Sequence, residues 1–97
     1  MMPINFQTPD ALLKTIATQA KAQRLAAKLT RRTLAEKSGV AESSIKRFET
    51  TGQISFHSLL KLAFTLNCMD EFNRLFAEKP PQTITDLQTT TRQRGSL

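Results

Sequence analysis

The sequence predicts an all-α fold, a compact bundle of five helices followed by a polar tail. Three observations lead there. Apolar residues recur at three- and four-residue intervals. Cap residues, glycines and prolines punctuate those runs at helix-length spacing. No stretch alternates apolar and polar residues as a half-buried strand would. Ninety-seven residues are enough for one domain. They divide into an expected flexible N-terminus (1–7), a helical domain (8–79) and a polar C-terminal tail (80–97).

The first helix opens at Thr8-Pro9-Asp10, with a capping hydroxyl, a proline at the first helical position and an acid in the first turn. Leu12, Leu13, Ile16, Ala17, Ala20, Arg24 and Ala27 follow on one side, which predicts a helix to about Lys28. Thr30 caps a short second helix, Arg31 to Ser38, and Gly39 supplies the left-handed residue that ends it. A third helix runs from Ala41 or Glu42 to Thr50 with Ile45 and Phe48 inward. Ser55 caps a fourth, Phe56 to Leu66, with Phe56, Leu59, Leu62, Ala63 and Leu66 on its inner face. Asn67 is placed as its left-handed end. Asp70 caps a fifth through Ala77, and Pro80-Pro81 stops it. In the tail, Thr83 to Asp86 carries a weak capping signal for one helical turn.

Charge is distributed unequally. The net charge is +6, and Lys14 to Arg47 holds nine Lys or Arg against two acids, whereas Phe48 to Thr91 holds three bases and five acids. A polyanionic partner should therefore meet the first half. The single cysteine, Cys68, excludes a disulfide framework or a cysteine-based zinc site. His57 stands alone, and no glycine-rich phosphate loop or paired-carboxylate site appears. The chain reads as a non-enzyme that needs no metal or cofactor. No apolar run approaches the ~18 residues of a membrane span, so a soluble cytoplasmic protein is expected.

The segment from Leu29 to Glu49 carries the function. It encodes two short helices joined by a tight glycine turn, with Ala35 small where the helices cross and Val40 beneath the turn. This is a helix-turn-helix spanning about residues 30–50, the arrangement that sets its second helix in the major groove of DNA. The segment resembles the lambda-repressor-like (xenobiotic-response-element-like) family, and the likeness extends from about residue 12 to residue 76. The resemblance implies a structural ion pair between Arg24 and Glu49. It also places Glu42, Ser43, Ser44 and Lys46 at base edges, with Arg47 near the groove wall. Three positions depart from the family pattern: Arg31 replaces a glutamine, Ala41 replaces a Ser or Thr cap, and Gln23 replaces a core leucine.

Chemistry suggests roles for these side chains. Lys46 can donate to guanine, Glu42 can accept from cytosine, and Ser43 and Ser44 can pair with either or with phosphate. Thr30, Arg31 and Arg32, at a helix start, and Thr51, Gln53 and Ser55, before another, are candidate phosphate contacts together with Arg47. One such domain covers few base pairs, so a homodimer on an inverted-repeat operator is expected. Phe64, Phe72, Leu75 and Phe76 form its candidate interface.

Two function classes follow. The first is a DNA-binding transcriptional repressor. Phe48-Glu49-Thr50-Thr51-Gly52 followed by Ile54-Ser55 resembles HipB-type antitoxins, which implies a HipA-type kinase toxin as partner and an autoregulated operon. A stand-alone phage-type or metabolic repressor is the alternative within that class. The second class is a protein-interaction module that keeps the fold without binding DNA and uses the tail, with Arg92 and Arg94 as anchors.

Overall fold

Three of the helices in the described residues begin at a side-chain hydroxyl cap. The computed structural model describes residues 8–78. The expected N-terminal segment and polar tail, with the Thr83–Asp86 signal, Arg92 and Arg94, lie outside the described residues. Five α-helices follow one another without a strand among the described residues: α1 (Pro9–Ala26), α2 (Arg31–Ser38), α3 (Glu42–Thr51), α4 (Phe56–Thr65) and α5 (Asp70–Asn73).

The Thr8 hydroxyl accepts from the Ala11 amide at 3.1 Å and starts α1. The helix ends at Ala26, two residues before the expected Lys28. Lys28 itself takes a left-handed φ of 60°, and the Leu29 amide turns back to the Arg24 carbonyl at 3.1 Å. Thr30 caps α2 through the Thr33 amide at 3.0 Å, and Gly39 closes it at φ 81°. Nothing stands within 4 Å of a Cβ built on Gly39, so its backbone conformation alone calls for glycine there. Ala41 gives α3 no side-chain cap. Ser55 caps α4 through the Ser58 amide, and Asn67 at φ 64° takes the left-handed place beyond it.

The core lies where α1, α2, α3 and α4 meet. Ala17, Leu34, Val40, Ile45, Phe48 and Leu62 form it, and Ile16, Ala20, Leu29, Ala35, Ile54, Leu59 and Leu66 pack around them. The pattern on α3 is decisive: Ile45 and Phe48, three residues apart, are both buried, so the opposite face of the helix must point outward.

The C-terminal part differs from expectation. Helix α5 starts at Asp70, with Met69 rather than Asp70 as its N-cap, and ends at Asn73 rather than Ala77. Beyond it the amides of Leu75 and Ala77 bond three residues back, to the Phe72 and Arg74 carbonyls, and Phe76 turns left-handed at φ 61°. Phe72, Leu75 and Phe76 read as a helical stripe, but only Phe72 is half-buried, so little packing sustains a longer helix. Phe56 also departs from its expected inner position: it is exposed and meets Phe72 edge-on, ring centres 6.2 Å apart.

Candidate nucleic-acid interface

Burying Ile45 and Phe48 turns Glu42, Ser43, Lys46, Arg47 and Thr50 to the surface, with Ser44 half-buried at the edge of that face. The first turn of α3 therefore offers an acceptor, two hydroxyls and an amine within reach of one another along the helix. Three of the four residues expected at base edges (Glu42, Ser43 and Lys46) are exposed on this one helix, and the fourth, Ser44, borders them. Ala41 gives the start of α3 no side-chain cap, and its carbonyl accepts from the Ser44 and Ile45 amides at 3.0 and 3.1 Å.

The rear of α3 is tied to α1 and α2 by one carboxylate. Arg24 Nε donates to Glu49 Oε2 at 2.7 Å, and its Nη2 donates to Oε1 at 3.1 Å, a two-point contact with fixed geometry. Arg24 Nη1 donates to the Leu29 carbonyl at 2.8 Å, so the guanidinium also braces the end of α1. Arg31 Nε donates to Glu49 Oε1 at 2.8 Å. The side chains of Glu49 and Arg24 are only 3% and 7% exposed, whereas that of Arg31 is 32% exposed. Burial by itself would raise the Glu49 carboxyl. The hydrogen bonds and charges of Arg24 and Arg31 outweigh it and hold the group below its ordinary value.

The bond from Arg31 to Glu49 is the feature that sequence reasoning missed. The sequence marks Arg31 as a phosphate candidate and as a departure from the glutamine usual in the family. In the structure it stands at the first position of α2, with its Nε on Glu49 and its side chain part exposed. The available signal was Arg24 and Arg31 standing seven residues apart with one acid, Glu49, for both. Two cations on one anion leave an excess positive charge beside α3.

The other phosphate candidates occupy the two flanks. Arg32 is 80% exposed in its side chain and meets Glu36 only at 3.9 Å. The Thr30 hydroxyl is engaged with the Thr33 amide and hydroxyl, both at 3.0 Å. On the far side, Arg47 Nη2 donates to Gln53 Oε1 at 2.9 Å. The Thr51 hydroxyl donates to the Arg47 carbonyl at 2.7 Å, which directs its proton inward. Ser55 is exposed at the start of α4.

The four candidate dimer residues divide. Phe64, Leu75 and Phe76 are exposed, whereas Phe72 is half-buried beside Phe56. An apolar groove of about 600 Å³ between α1 and α4, with Ile16, Ala20, Leu59 and Leu66 in its walls, ends at Phe72 and Leu75. His57 is exposed, and the Cys68 thiol is half-buried with its sulfur 3.4 Å from the Leu66 carbonyl. No group of three or more potential ligands capable of holding a metal occurs among the described residues. No helix among them is long and apolar enough to cross a membrane.

Residues 21–68 match the helix-turn-helix family model. The matched span runs from within α1 to Cys68, so it contains α2, α3 and α4 whole and leaves α5 outside. No curated protein matches the chain.

Proposed function

We propose that the chain is a sequence-specific DNA-binding transcriptional repressor of the lambda-repressor-like kind, a reading supported by the helix-turn-helix match over residues 21–68. The match supports a DNA-binding regulator, and the observation that carries the finer reading is the outward face of α3. Its polar residues are exposed while Ile45 and Phe48 are buried behind it, with Arg31 and Arg32 at the start of α2 and Arg47 on α3 beside Gln53. In this reading α3 lies in the major groove. Lys46 donates to guanine, Glu42 accepts from cytosine, and Ser43 and Ser44 complete the base contacts. Arg31, Arg32 and Arg47 hold phosphates, with Thr30 and Ser55 at the adjoining helix starts. Thr51 and Gln53 belong to the same flank.

A homodimer on an inverted repeat gives one small domain enough contact to select a site. Exposed Phe64, Leu75 and Phe76, with Phe72 beside the groove, supply its apolar surface. The resemblance of Phe48–Ser55 to HipB-type proteins favours an autoregulated toxin–antitoxin operon, with a HipA-type kinase as the second partner. An adjoining kinase-like reading frame is the observation that checks this assignment.

The central experiment is binding of the full chain to its own promoter fragment against a scrambled duplex, across a range of salt. Affinity should fall steeply as salt rises. Lys46→Ala should erase most of the preference between the two duplexes. Arg32→Ala should weaken both alike and reduce the salt slope by about 1. Equal affinity of the wild-type chain for both duplexes would remove sequence reading. No binding at low salt would remove the repressor assignment altogether.

A further inference from the structure

The loop after α3 is bound to that helix by its own backbone and hydroxyl groups. The Gly52 amide donates to the Phe48 carbonyl at 2.7 Å, and the Gln53 amide donates to the Thr51 hydroxyl at 3.1 Å. That same hydroxyl donates to the Arg47 carbonyl at 2.7 Å. Gly52 sits at φ 85°, and a Cβ there would come 3.1 Å from the Leu13 carbonyl carbon, so the loop lies directly on the backbone of α1. These contacts fix the Gln53 backbone relative to the last turns of α3. From that fixed base the Gln53 carboxamide oxygen accepts from Arg47 Nη2 at 2.9 Å.

We propose that Gln53 is a positioning residue, which acts on DNA by holding the Arg47 guanidinium toward one backbone phosphate rather than by a contact of its own. This rests on the DNA-binding reading above. A hydrogen bond between two free surface side chains achieves little, because both must be ordered to make it. Here the backbone of one partner is already fixed, so the bond mainly narrows the conformations open to Arg47 before DNA arrives. The guanidinium has five N–H donors, and a single bond to Gln53 leaves others for a phosphate.

The choice of acceptor supports this role. On the opposite flank Arg31 is held by the carboxylate of Glu49, which offsets part of its charge. Arg47 is held by a neutral amide, so orientation is gained while the full positive charge stays available to a phosphate. A carboxylate at position 53 would hold the arginine as well but would repel the same anion.

The test is a double-mutant cycle on the full chain with a mixed-sequence duplex at low ionic strength, using Gln53→Ala, Arg47→Ala and both together. Arg47→Ala should weaken binding and reduce the salt slope by about 1. Gln53→Ala should weaken it roughly three- to fivefold, the usual scale of one surface polar interaction. The double variant should bind no more weakly than Arg47→Ala alone. Without DNA, the Arg47 Nε–H resonance should lose order in Gln53→Ala and recover it in Gln53→Glu, while Gln53→Glu binds the duplex more weakly than wild type.

Additive losses would show that Gln53 makes its own contact and overturn the proposal, as would a Gln53→Ala variant that binds like wild type. An Arg47 resonance indifferent to Gln53 would overturn it as well. A wild-type chain that ignores the duplex would instead defeat the DNA reading, and the positioning role with it.

Discussion

Leu34, Ile45 and Phe48, in α2 and α3, are at most 1% exposed, whereas Phe64 and Phe76, in α4 and after α5, are 74% and 103% exposed. The first region hides its large apolar groups and faces solvent with polar and cationic ones. The second keeps Leu62 and Ala63 in the core yet leaves aromatic rings outside. A buried side chain is accounted for by the fold, whereas exposed phenylalanines make no such contribution to the core. The first region is suited to a polyanion, and the second carries the apolar groups assigned above to the proposed dimer.

The largest effect should come from the carboxylate that joins α1, α2 and α3. Glu49→Ala leaves the nearly buried Arg24 without a counter-charge and should destabilise the fold by about 3–5 kcal/mol, read as a large drop in the midpoint of a thermal or urea melt. An unchanged midpoint would mean that apolar packing alone holds the first region. The same group sets a pH dependence. Its folded value lies below the ordinary 4.5, so the unfolded chain takes up the proton first as pH falls. Its stabilisation is therefore complete above the ordinary value and is lost as pH falls through the folded one. In melts at successive pH values, Glu49→Gln should remove that portion of the acid loss.

The next effect separates two glycines within the first region. Both have left-handed backbones, but only Gly52 also abuts Leu13. Gly39→Ala should cost about 1 kcal/mol from backbone strain, and Gly52→Ala about 2 kcal/mol or more because α1 must also give way. Equal melts for the two variants would show that the approach of the loop to α1 relaxes freely.

The smallest effect on folding tests the second region. Phe64→Ser and Phe76→Ser should each leave monomer stability within about 0.5 kcal/mol and, on the dimer proposed above, shift sedimentation toward monomer. A large loss of stability at low concentration would assign these rings to the fold and erase the contrast between the regions.

The structural features that were legible in the sequence are those set by neighbours along the chain. Thr8, Thr30 and Ser55 cap the helices they precede because each hydroxyl needs only an amide three residues ahead. Gly39 was readable because a left-handed residue there has few substitutes. The end of α1 was not, because Lys28 occupies a left-handed place that usually goes to glycine. The helical spacing of Phe72, Leu75 and Phe76 predicts a longer α5 than forms, because spacing does not reveal whether anything packs against them. At the candidate interface, the exposed face of α3 followed from Ile45 and Phe48. The bonds from Arg31 to Glu49 and from Arg47 to Gln53 did not, since side chains 18 and 6 residues apart meet only after helices or loops have been placed.

The seclusion of Glu49 also bears on how the protein can be handled. Mobile ions compete well for exposed charges but poorly for a carboxylate that solvent scarcely reaches. Concentrated salt should thus strip nucleic acid from the outer surface while leaving the three helices clasped, so that a high-salt wash during purification releases the cargo and spares the scaffold.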